Sequence, residues 1–163
     1  MEREISFSLN LLQKQNFQIP ISRLSLTDSR RRNIINKRKT GGDGVKIFVE
    51  DTFDSAHWLP NVPVDHKCHN LHGHTYKIRI EVEGEINPTS GWVVDYAEIK
   101  KLWDPIKLQL DHKCLNEIEG LENSTSELLV EWVWDRMIGF FEDAWIQRIE
   151  IRETEHCGAI KEI

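Results

Sequence analysis

The chain is poor in cysteine: Cys68, Cys114 and Cys157 are the only three in 163 residues. None stands in a Cys-x-x-Cys pair, and an odd number closes no disulfide framework, so a reducing, cytoplasmic setting is expected. No apolar run approaches the roughly 20 residues of a membrane span, so no membrane is expected as a partner. Repeats of about 20–50 residues are absent too, which sets aside solenoids and propellers. Positive charge is scarce after residue 44: residues 45–163 carry twelve Lys/Arg against 23 Asp/Glu, a net of −11. That acidity argues against nucleic acid as a partner.

What is there suits a soluble domain with a sizeable core: 39% of residues are hydrophobic and 29% charged. Residues 1–44 differ, with nine Lys/Arg against four Asp/Glu, including Arg30-Arg31-Arg32 and Lys37-Arg38-Lys39. Their apolar residues, from Leu11 and Leu12 to Ile34 and Ile35, keep no period. This composition reads as a flexible basic extension, leaving 45–163 as one domain. Two other readings stay open. One is a targeting peptide, against which Glu2 and Glu4 argue; the other is a translation start at Val45.

From Lys46 the pattern becomes regular. Lys46–His57 is rich in strand formers, and Trp58–Lys67, with Pro60 and Pro63, is a loop. From Leu71 to Glu83 the residues alternate: His72, His74, Tyr76, Ile78, Ile80 and Val82 on one face, Thr75, Lys77, Arg79, Glu81 and Glu83 on the other. Asp95 and Glu98 spell a capping box for a helix to about Leu110, with a kink or break expected near Asp104 because of Pro105. Asp111–Asn116 reads as a loop. Ser124 and Glu127 read as a second capping box, opening a helix with the stripe Leu128, Leu129, Trp132, Val133, Met137, Phe140 and Phe141. Ala144–Glu153 reads as a strand with Trp145, Ile149, Ile151 and Glu153 on one face, and Ala159–Ile163 as a short last strand. The order β-β-α-α-β-β predicts an α+β domain: a four-stranded antiparallel sheet with two helices on one face.

Chemistry concentrates in Cys68-His-Asn-Leu-His72-Gly-His74. On a strand, His72 and His74 point the same way, continuing an inward apolar face. With His57 they make a three-imidazole set, the layout of a zinc site that keeps a position open for catalysis. A single inward histidine is more often a core residue; two at i, i+2 with a third nearby favour a metal. His66, His69 and His156 lack such pairing and read as surface or loop. Gly73, between the ligands, lets another backbone or a ligand approach closely. Cys68, flanked by Lys67 and His69, is placed to act as a thiolate nucleophile or base, against a default reading as a small buried hydrophobe. Asp111-His112, at a helix-to-loop junction, is a weaker candidate for proton relay. Glu153, an acid on an apolar row, could accept paired N–H donors of a guanidine-like edge.

Taken together these motifs resemble the 6-pyruvoyl-tetrahydropterin synthase family, and within it the 6-carboxy-5,6,7,8-tetrahydropterin synthase branch. The matching pieces run in order through 46–163: Phe53-Asp-Ser-Ala-His57-Trp-Leu-Pro, Cys68-x-x-x-His72-Gly-His74-x-Tyr76, Gly91-Trp-Val-Val-Asp95-Tyr, Leu110-Asp111-His112-Lys-x-Leu-Asn116, Thr125-Ser-Glu127 and Glu153-Thr154. The resemblance implies a T-fold and a homohexamer of two stacked trimers with active sites at subunit interfaces. It implies zinc on His57, His72 and His74, and proton transfer by Cys68, Asp111 and His112. Glu153 would anchor the pterin through its amino-pyrimidine edge, with Thr125, Ser126 and Glu127 along the pocket. Three residues separate Cys68 from His72, the spacing of the carboxy branch; the pyruvoyl branch usually has five, and a folate-directed branch tends to replace the cysteine by glutamate. The implied reaction converts 7,8-dihydroneopterin triphosphate to 6-carboxy-5,6,7,8-tetrahydropterin, acetaldehyde and triphosphate, toward queuosine. The alternatives are 6-pyruvoyl-tetrahydropterin formation, or a non-catalytic pterin- or zinc-binding assembly protein.

Overall fold

The structure is a computed structural model that describes residues 44–137, 141 and 144–163. The basic extension expected over 1–44, apart from Gly44, lies outside these residues, and so does Phe140.

Strand β1 (Val45–His57) and strand β2 (His72–Gly84) pair antiparallel along their whole length. The alternation is the expected one. Tyr76, Ile78, Ile80 and Val82 of β2 meet Val49, Phe53, Ser55 and His57 of β1 on a buried face. A Cβ on Gly73 would sit 3.3 Å from the Ser55 carbonyl oxygen, so it is the partner strand's backbone that comes close there.

Helix α1 (Tyr96–Leu110) is capped by Asp95, whose Oδ1 accepts the Ala97 N–H at 2.9 Å. The reciprocal half of the capping box is not made: Glu98 takes the Lys101 ammonium instead. The break expected near Asp104 is also absent, and the helix is continuous through Pro105. Proline forfeits one backbone bond there. Against that loss, Trp103 and Ile106 are buried on either side of it. Asp51 of β1 also grips both flanks, accepting Trp103 Nε1–H at 2.9 Å and Lys107 Nζ at 2.9 Å.

The segment expected as a loop after α1 contains a two-residue strand, β3 (Lys113–Cys114), parallel to Ser55 and Ala56 of β1. Two residues carry no period that a sequence could display; the pairing is imposed by the neighbouring strand. Helix α2 (Ser126–Met137) begins one residue later than the capping-box reading requires. Thr125, not Ser124, is the cap: its Oγ1 accepts the Leu128 N–H at 3.4 Å. Leu128 is exposed, while Leu129, Val130, Trp132, Val133, Trp134 and Met137 are buried.

Strands β4 (Ala144–Arg152) and β5 (Gly158–Glu162) complete a five-stranded mixed sheet of order β3-β1-β2-β4-β5, in place of the expected four-stranded antiparallel one. A bulge lets Glu81 and Val82 face Arg148 and Ile146, so Gln147 is the extra residue. The bulge reverses the alternation below it. Ile146 therefore joins Ile149 and Ile151 in the core, and Trp145 is turned off the face expected for it. Gly158 opens β5 where a Cβ would come within 2.3 Å of the Ile151 carbonyl oxygen.

Both helices cover one face of the sheet around a single core that includes Phe53, Tyr76, Trp103, Leu110, Leu129 and Ile149. Each large apolar side chain buried there contributes roughly 1.5–3 kcal/mol. The other face carries charge. Glu50 pairs with Lys77 and Arg79, Glu81 with Arg79 and Arg148, and Glu150 with Arg148 and Arg152. Among the described residues, no strand pairs with the outer edge of β5, and β1 meets β3 only at Ser55 and Ala56.

Candidate metal centre and active site

The strand register builds the first cluster. His57 ends β1 directly opposite His72, which opens β2, and His74 lies two residues further on the same face. The imidazole centroids are 4.5 Å (His57–His72), 5.2 Å (His57–His74) and 5.0 Å (His72–His74) apart. One nitrogen from each lies within 4.8 Å of the others.

Hydrogen bonds decide which nitrogens are free. His57 Nδ1 faces the Ser124 carbonyl oxygen at 2.9 Å, and His72 Nδ1 faces the Asn70 carbonyl oxygen at 2.8 Å. A carbonyl can only accept, so each Nδ1 carries a proton, and in the neutral ring the lone pair is then on Nε2. His57 Nε2 is buried without a hydrogen-bond partner, and Glu153 Oε1 stands 3.6 Å from it. A lone pair and a carboxylate face each other with no donor between them. That environment suits a cation, and a backbone carbonyl behind each imidazole is the usual support for a zinc ligand. Burial pushes the His57 and His74 imidazoles below their ordinary pKa, toward the neutral form that a metal needs. Tyr76, edge-on to His57 and His74 and stacked on Phe53 at 5.0 Å, closes the cluster from below. Burial drives its phenol pKa sharply up, so it stays neutral.

Cys68 is half-buried in a single 3-10 turn, Lys67–His69, between the β1 loop and β2. Its N–H donates to His66 Nδ1 at 3.2 Å and its carbonyl accepts the Leu59 N–H at 2.8 Å. His66 thus has a capping task in the loop, and His156 is exposed as expected. His69 lies in the loop, as expected, and is half-buried, with Nδ1 buried and unpartnered.

Asp111 and His112 form a second cluster at a different place. Asp111 Oδ1 accepts the Asp54 N–H at 2.9 Å, and the Asp54 carbonyl accepts the His112 N–H at 2.6 Å. The pair therefore wraps the edge of β1, with His112 at φ 56° and its Nδ1 3.1 Å from Asp111 Oδ1. The Asp54 N–H and the adjacent imidazole hold the Asp111 carboxyl below its usual range. The Asp54 carboxylate, fixed by Thr75 Oγ1–H at 2.5 Å, completes the cluster. By strand alternation Asp54 faces away from Ser55 and His57. Asp54 and Thr75 were missed in the sequence, where nothing marks them apart from ordinary strand polars.

Within one chain the structure thus gathers His57, His72, His74 and Glu153, and holds Asp111-His112 apart from them. Thr125 caps α2, and Ser126 and Glu127 open it, directly after Ser124, whose carbonyl meets His57.

A family model described as 6-pyruvoyl tetrahydropterin synthase matches residues 46–162. The chain belongs to that family. Its similarities within the 6-pyruvoyl tetrahydropterin synthase family spread over several reactions. A 6-carboxy-5,6,7,8-tetrahydropterin synthase of Synechocystis sp. is 34% identical over 116 residues, 66% of this chain and 85% of the relative. A dihydroneopterin monophosphate aldolase of Pyrococcus furiosus is 36% identical over 92 residues, 56% of this chain and 74% of the relative. The human 6-pyruvoyl tetrahydrobiopterin synthase is 31% identical over 102 residues, 59% of this chain and 70% of the relative. Among solved structures, 6-pyruvoyl tetrahydropterin synthase of Caenorhabditis elegans aligns with a TM-score of 0.67 at 26% identity, covering 74% of this chain and 96% of that one. Membership in the family identifies a T-fold enzyme of pterin chemistry with a candidate histidine metal site. Identity does not separate the branches.

Proposed function

We propose that this protein is a zinc-dependent lyase that converts 7,8-dihydroneopterin triphosphate and water to 6-carboxy-5,6,7,8-tetrahydropterin, acetaldehyde and triphosphate, in the cytoplasmic route toward queuosine. The observation that carries the reading is Cys68, with three residues between it and His72, beside a cluster of three imidazoles in which His57 Nε2 lies 3.6 Å from Glu153. Zinc held by His57, His72 and His74 would supply Lewis-acid stabilisation of negative charge developing on the substrate's side-chain oxygens. Cys68, as thiolate, takes a proton from the pterin side chain. His112, oriented by Asp111, returns one elsewhere on the substrate. Glu153 accepts the paired N–H groups of the amino-pyrimidine edge, and Thr125, Ser126 and Glu127 flank the ring.

The assembly in this reading is a homohexamer of two stacked trimers. Two features support it. Among the described residues no strand pairs with the outer edge of either end of the sheet, and Asp111-His112 sits on the edge of β1 rather than over the imidazoles, so a neighbouring copy can supply it to a site centred on Cys68.

The test is incubation of zinc-loaded protein with dihydroneopterin triphosphate and analysis by mass spectrometry. Acetaldehyde with a carboxylated pterin is the expected outcome. A pyruvoyl pterin would move the chain to that branch, and binding without turnover would leave a pterin-binding assembly protein.

A further inference from the structure

A residue to which no site role has been given holds the most heavily bonded polar side chain near the imidazoles. Asn116 lies in the 3-10 turn Leu115–Glu117 that follows β3. Its Oδ1 accepts the Trp58 N–H at 2.9 Å, and its Nδ2 donates to the Trp58 carbonyl at 2.8 Å. The same Nδ2 donates to the Glu122 carbonyl at 3.0 Å, and Oδ1 is 3.4 Å from the Ser124 hydroxyl, which donates to it. Both donors and the acceptor of the amide are therefore in use.

The placement explains the pattern. β3 pairs Cys114 with Ala56 in a parallel register. Two residues further along both chains, Asn116 stands beside Trp58, and its side-chain amide replaces the backbone amide that a longer β3 would have offered. The ladder next to His57 is thereby closed by a side chain. The remaining two bonds reach the loop before α2, at Glu122 and Ser124. Ser124 is fully buried, and it is its carbonyl that fixes the His57 proton on Nδ1, with its Oγ 3.4 Å from the same nitrogen.

We infer that Asn116 is a positioning residue for the metal centre: by tying Trp58 to Ser124 it sets the tautomer of His57 and keeps Nε2 free as a ligand. The inference rests on the reading of His57, His72 and His74 as metal ligands. It differs from a general stabilising role, because it ties Asn116 to one nitrogen of one histidine.

The experiment compares zinc affinity, by chelator competition, and the 15N signals of the His57 ring in full-length wild type, Asn116→Asp and His57→Ala. Asn116→Asp keeps the shape of the side chain and removes both donors. The expected result is zinc affinity about 10–100-fold weaker than wild type. The metal-free variant is also expected to show His57 with its proton shared between Nδ1 and Nε2, where wild type shows Nδ1 alone. If Asn116→Asp does not fold, Asn116→Ser, which retains one donor, is read the same way with a smaller loss. Wild-type affinity and an unchanged His57 tautomer in a folded variant, even one that melts earlier, would overturn the inference. Undiminished zinc binding in His57→Ala would instead overturn the ligand assignment, and the two failures are told apart by that variant.

Discussion

The two clusters on β1 use the same materials to opposite effect. His57, His72 and His74 lie on the helix-covered face; Asp54, Asp111 and His112 lie along the edge. In each, the candidate ligand atoms are within 4.8 Å of one another. The difference is in what surrounds them. Burial favours the neutral form of His57 and His74, and backbone carbonyls orient the rings of His57 and His72. The edge cluster has an imidazole side chain that is 76% exposed, and a carboxylate held ionised by a backbone N–H. The same proximity thus comes in two settings: an inner set with backbone carbonyls behind His57 and His72, and an edge set with an exposed imidazole beside a carboxylate.

The sharpest way to break this contrast is to remove a group from each side. His72→Ala is expected to abolish stoichiometric zinc binding and, with it, turnover; metal analysis after dialysis checks the first and product formation the second. Cys68→Ala is expected to lower turnover by about 10²–10⁴-fold with zinc content unchanged. Full activity in that variant would remove the thiol from the mechanism. His112→Ala and Asp111→Asn are expected to fall in the same range while zinc content stays at the wild-type level, and loss of zinc in either would erase the division between the clusters.

Acidity sharpens the same point more gently. Burial lowers the pKa of His57 and His74 in the folded protein, so the unfolded chain binds more protons as pH falls through the ordinary histidine value near 6.5. Metal-free protein should then lose stability from about pH 6.5 downward. Melting curves of wild type against His57→Ala and His74→Ala between neutral and mildly acidic pH measure it, and the variants should show a shallower slope. The smallest effect serves as a control remote from both clusters. Asp95→Ala removes the cap of α1 and should cost about 1 kcal/mol by denaturant unfolding, with zinc binding unchanged.

What could be read in the sequence was whatever a local period or spacing encodes. His72 and His74 declare their common face by being two residues apart on an alternating strand, and His57 joins them because β1 and β2 pair end to end. The cap at Asp95 and the end of α1 near Leu110 were legible because they too are local signals. The failures have one cause: each depends on a distant partner. β3 exists only because Ser55 and Ala56 lie beside it. Ser124 looks like a cap and is instead a buried support for His57, leaving the cap to Thr125. Trp145 is displaced by an extra residue at Gln147, which no pattern within β4 announces. Pro105 sits in an unbroken helix because Asp51, on a strand, holds both sides of it.

The charged face of the sheet has a bearing on folding. Sliding β4 along β2 by two residues would keep every apolar side chain of both strands toward the helices, so hydrophobic burial alone does not resist that error. Charge does. In the native register Arg79 lies opposite Glu150, and Glu81 opposite Arg148. A slip one way sets Arg79 against Arg152 and Glu81 against Glu150; a slip the other way sets Arg79 against Arg148. Like charges directly opposite are destabilising. The ion pairs, whose carboxylates Glu81 and Glu150 are largely covered, act as a proofreading code for strand alignment, and that alignment carries Glu153, one residue beyond β4, to the imidazoles.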